Sequence, residues 1–274
     1  MRITTLVENS PHPSIGALKA EHGLSFYIEH EGHCFLSDVG ASNAFAENAR
    51  ILDLDLSRVE SLAITHHHYD HGGGLERFIQ VNHRATTYLR RSVTSNFIAK
   101  KALKPARYIG PDQTVMKKYA DQIDYLDENR EILPGIHLLT AIPLVYPKPS
   151  SDRRLRVKIG PKTRPDPFEH ELVTVLVNEE GLVLLTGCAH NGVLNMIEAV
   201  KIELPGLPIR AVIGGFHLRF EKDQNVKQIG KALLDSHIPE IYTGHCTGDE
   251  AYITLESVLG DRLHKLHTGL ILEL

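Results

Sequence analysis

Several features that mark particular protein classes are scarce in this sequence of 274 residues. It contains no Trp, and Phe, Tyr and Trp together make up only 6% of it. The aromatic platforms on which single-stranded nucleic acids stack are therefore not expected. Lys and Arg number 30 against 34 Asp and Glu, which gives a formal net charge of −4. Because this balance disfavours non-specific nucleic-acid binding, we expect no nucleic-acid partner.

Cysteines and long apolar runs are scarce as well. Cys34, Cys188 and Cys246 cannot all pair within one chain and form no CxxC motif. Neither a disulfide framework nor a zinc ribbon is therefore indicated. No stretch approaches the ~20 apolar residues of a membrane span, and residues 1–8 lack the apolar core of a signal peptide. We expect a cytoplasmic protein that does not bind a membrane.

The remaining pattern indicates strands and helices in one domain. Strands are predicted from short β-prone runs at 2–7, 24–29, 34–38, 62–65, 171–178, 182–186, 209–213 and 240–242. Helices are predicted from apolar spacing at 43–52, 75–81, 92–103, 114–123, 193–202, 226–236 and 249–259. The proline-rich stretch 141–171 predicts an extended loop. Because no break in composition divides the chain, we expect a single layered α/β domain over 1–274.

Residues 66–71 read His-His-His-Tyr-Asp-His and are the strongest functional signal. Side chains at positions i and i+2 of an extended segment point the same way, so His66 and His68 are expected to bind one cation. Asp70 and His71, in the turn that follows, are expected to face a second cation. Imidazoles and a carboxylate suit Zn²⁺, Mn²⁺ or Fe²⁺. The alternative is a polar surface run of histidines without a ligand.

Four predicted strands each end in a histidine, namely His66, His190, His217 and His245. Ligands of α/β sheets collect outside the carboxyl ends of strands, where small residues allow close approach. A single histidine at a strand end is more often structural, but four at equivalent places favour one shared site.

The residues after two of these histidines predict rigid turns into helices. Thr247, with Glu250 three residues later, has the pattern of a capping box. Asn191 is a candidate N-cap for the helix that follows His190. Rigid turns of this kind would hold metal ligands in place.

The motif His66-x-His68-x-Asp70-His71, a distant Gly-Cys-Ala-His190 and a Gly-His245 before a helix resemble the metallo-β-lactamase superfamily. The resemblance implies a four-layer αββα sandwich with a two-metal site at one edge of its sheets. The implied ligands are His66, His68 and His190 for the first metal, and Asp70, His71 and His245 for the second. The superfamily often supplies a bridging aspartate where this chain has His217, which therefore either binds metal or faces substrate.

A narrower resemblance covers nearly the whole chain. It rests on residues 6–9, 21–25, 38–40, 187–192, 214–218 and 244–248. These segments are similar to a subfamily whose name-giving member is the dihydropterin–ribofuranosylaminobenzene phosphate synthase of methanopterin biosynthesis. Many of its relatives are simply called metal-dependent hydrolases. The resemblance therefore implies either a hydrolase or a transferase of the synthase type.

We expect an enzyme with two divalent metal ions that acts on a small anionic and phosphorylated substrate. Zn²⁺ is the expected metal, and Mn²⁺ or Fe²⁺ are the alternatives. Activated water or diphosphate displacement would carry the reaction. Asp70 would orient the water as well as bind metal, and His217 is expected to serve substrate or proton transfer. The alternatives are the synthase-type transferase and a di-iron redox or oxygen-handling protein. The sequence leaves open whether the protein forms a homo-oligomer.

The basic segment 148–164 is a candidate for binding the anionic group of a substrate. It contains seven basic residues and a single acid, Asp152. Arg153, Arg154 and Arg156 are expected to contact the anion, and a solvated surface loop is the alternative.

Other polar residues have less specific expectations. Glu171 is predicted to line the substrate pocket, and Asp38 is the best candidate to orient a metal-binding histidine. Cys188 and Cys246 are expected to be buried small residues outside the ligand set, and His22 a structural turn residue.

Overall fold

The computed structural model describes residues 1–100 and 105–274. The strands are β1 Arg2–Val7, β2 Ser25–His30, β3 His33–Ser37, β4 Ser61–Ile64, β5 Thr86–Arg90, β6 Phe97–Ala99, β7 Arg107–Tyr108, β8 Ile123–Leu126, β9 Arg130–Leu133, β10 Ile136–Leu139, β11 Leu155–Ile159, β12 Lys162–Pro165, β13 Val173–Asn178, β14 Gly181–Leu185, β15 Ile209–Gly215, β16 Glu240–Gly244, β17 Leu263–Lys265 and β18 Ile271–Glu273. The helices are α1 Ala44–Ile51, α2 Tyr69–Gly72, α3 Leu75–Val81, α4 Gln113–Lys118, α5 Val193–Glu203, α6 Asp223–Asp235 and α7 Asp249–Leu259.

Two seven-stranded sheets form the centre of the fold. Their strand orders are β18-β1-β2-β3-β4-β5-β8 and β17-β16-β15-β14-β13-β10-β9. Strands β3, β4, β5 and β8 of the first sheet are parallel, and so are β14 to β17 of the second. The strands that precede the four candidate histidines, β4, β14, β15 and β16, all belong to these parallel sets.

Alternating side chains assemble the sheets and helices into four layers. In β14, Leu182 and Leu184 pack with α5, α6 and α7, whereas Val183 and Leu185 belong to the core between the sheets. The first sheet alternates in the same way and packs its other face on α1 and α3. Because successive residues of a strand face opposite ways, each sheet buries both faces. The predicted αββα sandwich is confirmed.

A small third sheet forms where the sequence predicted other structure. Its order is β12-β11-β6-β7. No helix occurs over 92–100, where β6 instead pairs with β11, and positions 101–103 of that predicted helix lie outside the described residues. The predicted loop 141–171 contains the hairpin β11–β12. Both predictions were wrong because Phe97 and Val157, one from each segment, are buried together with Ile109. Neither segment shows this contact on its own.

Three further local predictions also fail. The helix predicted over 114–123 ends at Lys118, and a 3₁₀ turn at Ala120–Gln122 leads into β8. Thr247 accepts a hydrogen bond from the backbone N–H of Phe216 instead of capping α7. Asn191 donates to the carbonyl of Phe168 instead of capping α5.

None of the helices in the described part of the chain has the length and apolar character that a membrane-spanning segment needs.

Candidate metal centre

The histidine motif follows β4 and is fixed by close backbone contacts. His68 donates its N–H to the carbonyl of His66 at 2.9 Å, which turns the chain into the short helix α2. The glycines after the motif are required by packing. A Cβ at Gly73 would lie 2.4 Å from the carbonyl oxygen of Ala41, and one at Gly74 would lie 2.4 Å from that of Val39. Only residues without a side chain allow this approach, which holds the motif against the first sheet.

His66, His68 and His190 converge as the first candidate group. All three are buried, and one donor atom from each lies within 4.8 Å of the others. His66 Nε2 lies 3.0 Å from His68 Nδ1. Two nitrogens that bind one tetrahedral cation at about 2.0–2.1 Å are separated by a similar distance, about 3.3 Å. The structure therefore brings together the three residues that the resemblance assigned to the first metal.

Three histidine rings are oriented by an oxygen acceptor at Nδ1. The pairs are His71 with Asp38 at 2.6 Å, His190 with Asp152 at 2.8 Å and His245 with Asn9 at 2.9 Å. A carboxylate only accepts hydrogen bonds, so in the carboxylate pairs Nδ1 carries the proton and donates it. In the neutral ring, Nε2 then keeps its lone pair, which is the tautomer that a metal ligand needs.

Unpaired buried nitrogens support a metal site. His68 Nε2, His190 Nε2 and His245 Nε2 are buried and have no hydrogen-bond partner among the described residues. A buried polar group without a partner costs about 1–3 kcal/mol. A cation explains the unpaired Nε2 atoms of His190 and His245 better than chance does, whereas His68 turns its Nδ1, not this Nε2, towards His66. The donor set, neutral imidazole with carboxylate, fits a divalent transition metal.

The electrostatics keep several of these rings neutral. Burial, together with the neighbouring histidines, lowers the pKa of His66 and of His68 well below the ordinary value. Burial and the nearby His71 do the same to the pKa of His245. Neutral imidazoles are the form that binds metal.

Asp70 belongs to the second candidate group. Its Oδ2 lies 3.2 Å from His22 Nε2 and 3.6 Å from His245 Nε2. Burial alone would raise the pKa of Asp70, but the hydrogen bond from His22 and the nearby His71 and His245 hold it well below its usual range. Asp70 is therefore an ionised carboxylate beside His245. His22, predicted as a turn residue only, stacks on the His245 ring at 4.7 Å and joins this group.

Asp38 orients both the motif and the ring of His71. Its Oδ1 accepts the N–H of Thr65 at 2.7 Å, and its Oδ2 accepts the Thr65 hydroxyl at 2.8 Å. The same Oδ2 accepts from His71. Burial lowers the pKa of His71, but the Asp38 carboxylate outweighs it and raises that pKa to about 9. Asp38 therefore occupies the orienting position that the sequence predicted for it.

Four of the eight described non-glycine residues with positive φ lie at the same edge. Asp38, Ala189, His217 and His245 have positive φ values of 60°, 52°, 49° and 50°. Non-glycine residues avoid this left-handed region unless the surroundings enforce it. In each case the strained residue lies just after a strand, where it directs a polar side chain or the neighbouring histidine into the site.

Asp152 is the functional residue that the sequence reasoning missed. Its Oδ1 lies 2.8 Å from Nδ1 of His190 and 2.8 Å from Nδ1 of His217. Burial raises the pKa of Asp152, but the two histidines outweigh it and lower that pKa to about 2. Burial lowers the pKa of His217, and Asp152 raises it to about 9. The signal was present in the sequence, since Asp152 is the one acid in the basic segment.

Glu171 was predicted to line the substrate pocket, but the structure places it elsewhere. It is completely buried, and its Oε1 accepts the N–H of His190 at 2.7 Å. Its Oε2 accepts the backbone N–H and the side-chain amide of Asn191 at 2.7 and 2.8 Å. Because both oxygens are engaged, Glu171 fixes the His190 loop and does not line the cavity.

A cavity of about 380 Å³ opens over the two candidate groups. Its lining among the described residues includes His22, His68, Tyr69, Asp70, Ala99, Pro105, Arg107, Ile109, Leu155, Cys188, His190, His217, Arg219, Phe220 and Cys246. The cavity thus combines the polar metal-ligand edge with an apolar wall. His217 lies on its polar side, as the sequence predicted.

The arginines predicted to bind substrate lie outside this lining. Arg153 and Arg154 are exposed, and the Arg154 guanidinium lies 5.2 Å from the centroid of the Phe220 ring. Arg156 donates to the carbonyl of Thr163 at 3.2 Å across the β11–β12 hairpin. Among the described residues, Arg107 and Arg219 are the arginines and lysines that line the cavity. The segment folds into a 3₁₀ turn and the β11–β12 hairpin, which leaves Arg153, Arg154, Lys158, Lys162 and Arg164 exposed to solvent.

Comparisons with known proteins agree with this fold. The family model of the metallo-β-lactamase superfamily matches residues 18–199, so the chain belongs to that superfamily. It is 27% identical over 296 aligned residues to the 7,8-dihydropterin-6-methyl-4-(β-D-ribofuranosyl)-aminobenzene-5'-phosphate synthase of Methanocaldococcus jannaschii. That alignment covers 100% of this chain and 96% of the relative.

Solved structures resemble the whole chain. One is a metal-dependent hydrolase of the β-lactamase superfamily, with a TM-score of 0.85 and 28% identity over 100% of this chain and 99% of that one. A diphosphatase from the PhnP family aligns with a TM-score of 0.53 and 14% identity, covering 100% of this chain and 97% of that one. The second likeness concerns the fold alone. The first confirms the fold of a superfamily metal-dependent hydrolase.

We predict that Asp152→Ala weakens metal binding roughly 10–100-fold, the usual effect of removing the acceptor behind a metal-binding histidine. Metal affinity would be measured by competition with a chromogenic chelator, and the fold checked by circular dichroism. Asp127→Ala is the matched control, because Asp127 is 65% exposed and pairs only with Arg91 on the surface. Equal affinities of Asp152→Ala and the unaltered protein would contradict the role assigned to Asp152.

Proposed function

We propose that this chain is a hydrolase that binds two divalent metal ions and acts on a small anionic, phosphorylated substrate. The observation that carries the proposal is the convergence of the buried His66, His68 and His190. Nε2 of His190 and Nε2 of His245 are also buried and have no partner among the described residues. The ligand sets are His66, His68 and His190 for one ion, and Asp70, His71 and His245 for the other. Zinc is the first choice of metal, because imidazole and carboxylate are among its ordinary ligands.

When bound, two such cations would polarise a phosphoryl or carbonyl oxygen and lower the pKa of a coordinated water to about neutral. The protein's own residues supply orientation and proton transfer. Asp70, ionised beside His245, is suited to orient a nucleophile. His217 holds its Nδ1 against Asp152 and lines the cavity, so its Nε2 is the nitrogen available to a substrate. The apolar wall, with Ile109 and Leu155, limits the access of solvent.

The anionic substrate is supported by the two arginines in the cavity lining. The Arg107 guanidinium lies 4.9 Å from the centroid of the Tyr69 ring, and that of Arg219 lies 5.5 Å from the Phe220 ring. Stacking on an aromatic face holds a guanidinium in place without neutralising its charge. A phosphate group between these arginines and the metal edge would meet positive charge on both sides.

The second candidate is a transferase of the synthase type. It is favoured by one observation, the 27% identity to the methanogen synthase over the full chain. Both candidates use the same metal centre and an anionic substrate. A screen of phosphodiesters, thioesters, lactones and pterin diphosphates separates them, because only the transferase releases diphosphate in proportion to a coupled product.

We predict that the protein binds about two metal equivalents and that His68→Ala removes at least one of them. Hydrolysis of bis(p-nitrophenyl) phosphate should be lost, while the circular dichroism spectrum stays unchanged, because the site lies at the sheet edge and not in the core. Metal would be counted by elemental analysis after gel filtration. His264→Ala, at a histidine with a 39% exposed side chain, is the control. Full metal content and activity in His68→Ala would refute the ligand assignment.

We predict that His217→Ala lowers kcat roughly 10²–10⁴-fold while metal content holds, as expected for the loss of a proton-transfer group. The six other ligands already give each metal three protein donors and leave positions open for substrate. Metal stoichiometry and kcat would be measured on the same preparation. Loss of metal would show that His217 is a ligand, and unchanged values of both would remove it from the site.

We predict that Arg107→Ala and Arg219→Ala each raise KM for a phosphorylated substrate by roughly tenfold or more, since a charge-assisted hydrogen bond is worth about 1.5–3 kcal/mol. Metal content should not change. Arg153→Ala is the matched control, since it removes an exposed arginine of the basic segment. If Arg153→Ala has the larger effect on KM, the anion is bound by the 148–164 segment instead.

A further inference from the structure

We propose that the sulfur of Cys188 is a ligand of the second metal ion, so that this position binds a thiophilic cation through mixed sulfur, nitrogen and oxygen donors. The inference rests on the proposed metal-dependent function and deepens it. Cys188 is outside the ligand set that the superfamily resemblance implies, and the sequence suggested only a small buried residue there.

The geometry places the Cys188 sulfur between the ligands of the second group. Its Sγ lies 3.2 Å from Nε2 of His71. It also belongs to one set of donor atoms with His66 and His71 and to another with His245 and Cys246, with all atoms of each set within 4.8 Å of one another. Cys188 is buried yet contributes to the cavity lining. A cation that reaches His71 and His245 would therefore meet this sulfur as well.

The tautomer of His71 makes the contact suitable for metal binding. Asp38 accepts the Nδ1 proton of His71, so in the neutral ring Nε2 presents a lone pair towards Cys188. Without metal, the protonated His71 ring directs its Nε2–H towards the Cys188 sulfur. Ligation of a cation by both atoms would release the Nε2 proton of His71 and the thiol proton of Cys188 to solvent, which leaves a lone pair on each atom. Thiolate selects softer metals such as Zn²⁺, Co²⁺ and Cd²⁺ over Mn²⁺.

Cys246 is close by but is engaged differently. Its sulfur accepts the N–H of His217 at 3.3 Å and lies 3.7 Å from the carbonyl oxygen of Cys188. A Cβ at Gly215 would lie 2.5 Å from the same sulfur, so Cys246 fills a tight space against β15. We therefore assign ligation to Cys188 and a packing role to Cys246, which makes the two cysteines distinguishable.

The test is cobalt substitution of the full-length protein. The metal-free protein would be titrated with CoCl₂ and its absorption spectrum recorded. We expect a thiolate-to-cobalt charge-transfer band in the near ultraviolet, alongside the visible bands of bound Co²⁺. Cys188→Ser should lose the charge-transfer band. Cys246→Ser should keep it, and so should Cys34→Ser, the matched control at a buried cysteine of β3 that contacts Tyr27.

The possible results separate this inference from the proposed function. Two bound Co²⁺ without a charge-transfer band would overturn sulfur ligation and leave the metal-dependent function standing. Failure to bind Co²⁺ at all would overturn both. A band that disappears in Cys246→Ser but persists in Cys188→Ser would refute the assignment to Cys188.

A measurement on the unaltered protein covers the case in which Cys188→Ser does not fold. The metal-free and zinc-loaded proteins would be treated with iodoacetamide, and alkylation of each cysteine followed by peptide mass spectrometry. Zinc should slow alkylation of Cys188 and leave that of Cys34 unchanged. Equal alkylation of Cys188 with and without zinc would contradict the proposal.

Discussion

The need of buried imidazoles for fixed hydrogen-bond acceptors is the constraint on which the site depends. A histidine ring in the interior is held in one orientation when its other nitrogen has an acceptor, since an unpaired buried N–H costs about 1–3 kcal/mol. Asp38 meets this need for His71 and also holds the N–H and hydroxyl of Thr65. The Thr65 hydroxyl in turn lies 3.1 Å from Nδ1 of His66. One carboxylate at the end of β3 thereby orients rings assigned to both metals.

The sandwich supplies the geometry that a flexible chain could not. The first sheet carries His66 to His71 after β4, and the second carries His190, His217 and His245 after β14, β15 and β16. These two sets meet only because the alternating apolar residues of both sheets share one core. Because the strands are rigid, the pairing between them fixes the positions of the histidines that follow their ends. The strained backbone at several of these positions is tolerated because the core on either side fixes the chain.

Much of the fold and of the candidate site could be predicted from local sequence. The predictions that failed share one cause. The strands and helices of the two large sheets follow period-two and helical patterns, and the convergence of the histidines follows from their place at strand ends. Asp152, Glu171 and the third sheet depend on contacts between segments far apart in sequence. Arg156 pairs with Ile98, and Asp152 meets His217. Thr247 and Asn191 likewise make hydrogen bonds to residues distant in sequence, Phe216 and Phe168, which a local capping pattern cannot predict.

The segment from Asp152 to Glu171 connects the metal edge with the substrate cavity. Asp152 orients the ring of His190 and Glu171 holds its backbone, so both ends of the segment fix one candidate ligand. Between these ends, β11 and β12 form part of the third sheet, and Leu155 lines the cavity. Substitutions on the exposed face of the hairpin can therefore reshape the cavity mouth without moving His190. Substitutions at Asp152 act on His190 and on His217 together, because both histidines share one oxygen of its carboxylate.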